Sequence, residues 1–277
     1  MNAFRKLAAY AAVLAAVFGA SMAIGAAVGP TGLAIAEPTE EHDGMPEGMT
    51  MPGLAAADDG LRLVADVDTQ RQGIERPYRF RILDDEGPVT DFDVEHTKRM
   101  HVIVVRRDFA GFQHLHPEMR SDGTWELPLA LDDAGTYRVF ADFVVDDEKH
   151  TLGTDLFVGG DHTPEPLPEP DRLADAGDGY TVELEGDPVT GAESELEFVV
   201  RHDGEVVTDL PEYLGARGHL VALRDGDLAY LHVHADEERL SFEADFPTAG
   251  AYRLFLQFQH GGEVRTAAFT VDAEEIR

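Results

Sequence analysis

The sequence contains no cysteine, and only three of its 22 basic residues are lysine: Lys6, Lys98 and Lys149. Without cysteine there is no disulfide framework, no thiolate metal site and no lipidated cysteine. Any metal must be held by imidazole, thioether or carboxylate. Blue-copper electron transfer, which needs a Cys ligand, is excluded on the same ground. Positive charge is scarce overall: 54 acidic residues face 22 basic ones, for a formal net charge of -32. Such a field repels phosphate, so nucleic acid and anionic membrane surfaces are poor partners. Arginine in place of lysine suits a salt-adapted or high-GC source, and plain solubility explains the acidity equally well. Also missing is any convincing helical stretch beyond residue 60.

What is present begins with an export signature. Arg5 and Lys6 precede an uncharged, mostly apolar run from Leu7 to Val28. The run is long enough to span a bilayer, while Ala34-Ile35-Ala36 offers a small-residue cleavage site just beyond it. We read residues 1–36 as a signal peptide or membrane anchor, with anchoring through residues 7–28 preferred over secretion. Either way, the rest lies outside the cytoplasm. Residues 37–59 are rich in Met, Gly, Pro and Glu and read as a flexible tether.

From residue 60 the texture changes to short apolar runs separated by turn signals. Tyr78–Leu83, Met100–Val105, Trp125–Leu131, Tyr137–Val145 and Thr154–Val158 are examples. Runs of this size predict an all-β chain. The pattern occupies residues 60–160, is interrupted by a Pro-rich linker at 161–177, and resumes over 178–273. The second stretch repeats the first. Val89-Thr90-Asp91 matches Val207-Thr208-Asp209, and His101-Val-Ile-Val-Val-Arg106 matches His219-Leu-Val-Ala-Leu-Arg224. Phe112-Gln-His114-Leu-His116 matches Tyr230-Leu-His232-Val-His234, and Gly135-Thr-Tyr137 matches Gly250-Ala-Tyr252. A repeat of about 118 residues suits a tandem of two immunoglobulin-sized β-sandwich domains.

Each copy therefore carries three histidines, and their spacing predicts a geometry. If Asp225-Gly226 is a two-residue hairpin turn, His219 lies opposite His232, and His234 emerges on the same face. His101, His114 and His116 should cluster likewise in the first domain. Three converging imidazoles suit Cu(II), Zn(II) or Ni(II). Met100, Glu118 and Glu238 are nearby candidates to complete a shell. His42, Met45, Met49 and Met51 form a weaker candidate group in the tether, since thioethers prefer Cu(I). His96, His150, His162, His202 and His260 have no counterpart in the other repeat and read as surface or loop residues. Tyr137 and Tyr252 read as corner tyrosines bonding to backbone, with Arg138 and Arg253 facing solvent or a carboxylate.

The segments Lys98–Asp108, Gly111–Pro117 and Asp122–Trp125, with Tyr213–His234, resemble bacterial exported two-domain proteins of actinobacterial type. Those carry a repeated H…(F/Y)xHxH motif and accompany heavy-metal and copper handling. The resemblance covers most of residues 60–271. It implies immunoglobulin-like or cupredoxin-like sandwiches and a metal-associated role, and no catalytic assignment. The chain departs from the pattern at Ala235, where the first repeat has Pro117, which predicts an altered second site. No nucleophile–base pair, phosphate loop or general-acid carboxylate recurs in both repeats. The match of Gly226, His232, His234 and Glu238 to the start of a cupin motif lacks its closing residues. The expected function is thus a non-enzymatic, extracytoplasmic copper- or zinc-binding protein. The alternative is a surface interaction module whose histidines only pack.

Overall fold

A computed structural model describes residues 51–231, 233–236 and 238–276, together with Leu14 and Phe18. The anchor or signal (1–36) and His42, Met45 and Met49 of the tether lie outside the residues described beyond position 18. Among the described residues no helix is long and apolar enough to cross a membrane.

The chain from residue 51 is all-β and folds as two β-sandwiches of immunoglobulin-like type. In the first, one sheet has the order β1 (Ala57–Asp58), β2 (Leu61–Ala65), β4 (Arg76–Leu83), β8 (Trp125–Leu129), β7 (Glu118–Met119). The facing sheet runs β3 (Thr69–Arg71), β10 (Glu148–Gly159), β9 (Gly135–Val145), β5 (His101–Arg106), β6 (Gln113–Leu115). The second sandwich repeats the plan. One sheet is β11 (Leu173–Asp175), β12 (Tyr180–Glu185), β14 (Ser194–His202), β18 (Ser241–Ala244), β17 (Val233–Ala235), with β15 (Glu205–Val206) on β14. The other is β13 (Val189–Thr190), β20 (Glu263–Glu275), β19 (Gly250–His260), β16 (His219–Arg224).

Most strands alternate buried and exposed residues, as expected of a sheet with one wet face. β5 does not: all six of its residues are buried. Val102 and Val104 enter the first sandwich's own core, while Ile103 and Val105 point the other way into a separate apolar cluster. β16 and β19 behave alike, sending Val221, Leu223 and Phe255 into that same cluster. The equivalent faces of the two domains thus pack on one another. Phe112 stacks on Phe255 with centroids 4.1 Å apart and planes 7° from parallel. Leu167, from the strand-free segment between the domains, closes one side.

The residues just before β1 are built into this junction rather than being tether. Gly53 N donates to Thr151 O at 2.8 Å, and Tyr230 N to Pro52 O at 2.9 Å. Gly53 has φ +75°, and a Cβ there would meet the Phe140 ring at 2.6 Å, so only glycine passes. Arg138 Nη2 donates to the carbonyls of Gly53 and Leu54, and Nη1 to Asp155. Arg138 is therefore buried against a carboxylate. Arg253 is half-buried, and its Nη1 donates to Thr270 Oγ1. Both corner tyrosines are present: Tyr137 OH donates to Asp133 O at 3.0 Å and Tyr252 OH to Thr248 O at 2.7 Å.

Candidate metal centre

The hairpins are not the two-residue turns expected from Asp225-Gly226. The second domain's loop holds four residues, closed by Arg224 N donating to Ala229 O, and Leu223 pairs with Tyr230. The reason lies at Leu228, which takes φ 63° and is fully buried in the interdomain cluster. Burying an apolar side chain offsets the strain of a left-handed backbone. Phe109 in the first domain does the same at φ 67°. Pairing is therefore shifted by two residues, so that Ile103 rather than His101 lies opposite His114. A shift of two preserves the face. One step beyond the last pair, Val102 and Leu115, His101 and His116 come level on the face that carries His114.

The first domain's three histidines do converge. His101 Nδ1 lies 3.0 Å from His114 Nε2 and 3.2 Å from His116 Nε2. One ligand atom from each lies within 4.8 Å of the others. The far nitrogens of two of these rings are held. His101 Nε2 is 3.2 Å from the Glu95 carbonyl oxygen, which can only accept, so the hydrogen sits on Nε2 and Nδ1 keeps its lone pair. His114 Nδ1 is 2.8 Å from Gln257 Oε1, while Gln257 Nε2 donates to Thr266 Oγ1. That leaves His114 Nε2 with its lone pair as well. Backbone or amide oxygens on the outer nitrogen are the usual supports of metal-bound histidine.

Burial keeps these rings neutral. It pushes His114 down to about 4 and His116 down to about 3, helped in both by neighbouring histidines. His101 is lowered by the same burial. For the metal-free chain the sign follows directly. The unfolded state binds more protons than the folded one between about pH 4 and 6.5, so stability is complete above that window and falls as pH drops through it. Urea midpoints of the metal-free chain should decline from pH 7 to pH 4.5, and a His114→Asn variant should decline less steeply. Equal slopes would show that His114 is not held neutral.

Among the described residues of the second domain, His219 and His234 do not come together. β17 pairs with β18 in the opposite sheet, with His234 opposite Glu243. His234 is exposed and groups with Glu193 and Glu243, far from the expected partner His219 in pairing terms. His232 lies outside the described residues. The difference tracks one proline. In the first domain Pro128 lacks the N–H that would donate to His116 in such a ladder. Its counterpart Glu243 restores it, and the second domain's strand changes sheets three residues sooner.

His219 instead joins the first domain's histidines. It lies on the interdomain face, with Val221 and Leu223, and pairs across to Gln257. Its ring is 5.9 Å from His101 and 5.8 Å from His114. His96 completes the group, 4.8 Å from His219 and 6.1 Å from His101. His96 is thus not an idle loop residue. It occupies a tight turn, Glu95 to Lys98, in which His96 and Thr97 both have positive φ (48° and 65°). Non-glycine residues in such a turn are strained and mark sites where the surroundings demand the geometry. A cavity of about 210 Å³ is lined by His96, His101, His114 and His219 with Asp142 and Lys149. His116 and Glu118 face a separate outer cleft.

Other candidates fall elsewhere. Met100 is core, 1% exposed. Glu238 is exposed, its amide bonded to Asp236. Met51 is described, half-buried, next to the junction residue Pro52. His150 is buried and stacks on Phe143, correcting its reading as surface. His202 stacks on Tyr180, whose hydroxyl bonds His260, and His162 is exposed.

A family described as Domain of unknown function (DUF8832) matches twice, over residues 55–159 and 174–275. The chain belongs to this family. No curated protein matches it. Among solved structures it is similar to Salmonella alpha-2-macroglobulin reacted with methylamine, at 15% identity and TM-score 0.29, covering 80% of this chain and 15% of that one. It is also similar to the Lin-41 filamin domain (14% identity, 40% of this chain, 98% of that chain, TM-score 0.25). A chimeric titin Z1Z2 tandem gives 17% identity, 78% and 100% coverage, and TM-score 0.21. The chain spans about 15% of the length of the alpha-2-macroglobulin structure. DUF8832 thus occurs here as a tandem, one copy per sandwich.

Proposed function

We propose that this DUF8832 tandem is a non-enzymatic, extracytoplasmic metal-binding protein that holds a copper or zinc ion at His101, His114 and His116. The observation that carries this reading is the set of lone pairs. His101 Nδ1 has a single lone pair yet meets two ring nitrogens, at 3.0 and 3.2 Å. Two imidazole nitrogens bound to one ion at about 2.0–2.1 Å lie about 2.9 Å apart at right angles and about 3.3 Å apart at the tetrahedral angle. The spacing is that of ligands sharing an ion. All-nitrogen ligation and the absence of cysteine favour Cu(II) or Zn(II). The export signature and the resemblance to metal-handling proteins point the same way.

A metal-free chain could turn the Gln257 amide over, donating to His114 and letting His114 Nε2 donate to His101. That would satisfy one of the two contacts at His101 and leave the other unserved. Gln257→Leu separates the readings. Removing the oxygen that orients His114 should weaken zinc or copper binding about 10- to 100-fold in calorimetric titration. No uptake by the unaltered chain would favour the interaction module with packing histidines.

A further inference from the structure

We infer that His219, from the second sandwich, is the fourth imidazole of this centre, so that one ion is held jointly by both domains. The inference rests on the metal-binding reading and adds to it the ligand that closes the shell.

His219 Nε2 is fully enclosed and has no hydrogen-bond partner. A buried polar nitrogen left unpaired is costly, so such an atom calls for a ligand. An ion reached through the lone pair of Nε2 would supply the missing partner. With the lone pairs left on His101 and His114, three rings can then offer nitrogens to one neighbourhood.

The distances fit. Within the triad, ring centroids are 5.3, 5.0 and 4.7 Å apart. His219 lies 5.9 and 5.8 Å from two of those rings and lines the same cavity as they do. Its ligand nitrogens stand outside the 4.8 Å grouping of the triad, so the ring must turn and move toward the triad to reach a shared ion. Two of the cavity's other charged groups are already engaged. Asp142 accepts from Thr151 at 2.7 Å, and Lys149 lies 3.2 Å from Glu95 and 3.7 Å from Asp142. His96 stands behind His219 and packs edge-on against it.

Sequence parity explains why the ligand comes from the other domain. His219 is the repeat equivalent of His101, and the equivalent faces of the two sandwiches meet. Gln257, which orients His114, is its cross-strand neighbour. The second domain therefore supplies one ligand and one support. Four imidazoles make a closed shell, the pattern of a holding site rather than a catalytic one.

The test is X-ray absorption of the full chain, stripped with chelator and reloaded with one equivalent of Zn(II) or Co(II). Four imidazole scatterers are expected. In His219→Ala the count should fall to three, the Co(II) visible spectrum should change, and added free imidazole should restore it. Stoichiometry should remain one, with affinity about tenfold or more weaker. Three scatterers in the unaltered chain, or an unchanged Co(II) spectrum in His219→Ala, would overturn the inference while leaving the triad in place. No bound metal in the unaltered chain would overturn both readings. The scattering count on the unaltered chain decides the matter even if the variant fails to fold.

Discussion

His101→Ala should lower zinc or copper affinity about a thousandfold or more, roughly 4 kcal/mol of binding free energy, with the fold retained. His101 is the hub of the cluster, since its Nδ1 meets both other triad nitrogens. Its removal leaves His114 and His116 without the ring that meets both. The ring lies at the end of β5 on the interdomain face, outside the apolar core of its own sandwich, so the cost to folding should be modest. Competition against a chelator of known affinity gives the binding ratio, and urea unfolding checks the fold. An affinity within threefold of the unaltered chain would remove His101 from the centre.

Phe255→Ala should have the second largest effect, destabilising the chain by about 3 kcal/mol and weakening metal binding together. Deleting a buried phenylalanine costs about 3–5 kcal/mol when the surroundings cannot collapse. Phe255 is 3% exposed and stacks on Phe112 across the junction. The lower end of the range applies because each sandwich keeps its own core of buried residues. The effect on metal follows from geometry. Phe255 and Gln257 alternate onto the same face of β19, so loosening the junction draws Gln257 away from His114 and β16 away with it. Binding should fall about tenfold, read in the same titration. Lost stability with unchanged affinity would show that domain docking does not support the site.

Much of this was legible in the chain. The duplication, the all-β class and the convergence of His101, His114 and His116 follow from strand-sized runs, a constant offset and parity. The hairpin register did not follow, because the pull of Leu228 and Phe109 into an interdomain cluster outweighs the preference of Asp-Gly for a tight turn. A slip of two residues left the face intact, so the triad survived that difference. In the second domain His234 leaves His219 for the opposite sheet, since Glu243 offers the N–H that Pro128 lacks, and the repeated motif alone marks only Ala235 as different. His96 and Gln257 were missed for a different reason. Each acts through a contact with something distant in sequence, His219 for one and His114 for the other, and neither belongs to a repeated motif. The meeting of His219 with the first domain depends on how two finished sandwiches dock, which no pattern within one repeat records.

The central claim is one shared centre per chain rather than one per repeat. Elemental analysis of the full chain tests it most directly, after chelation and dialysis against equimolar copper, zinc and nickel. One tightly held ion per chain, lost in His101→Ala, is the expected result. Two ions per chain, with one kept in His101→Ala, would contradict it.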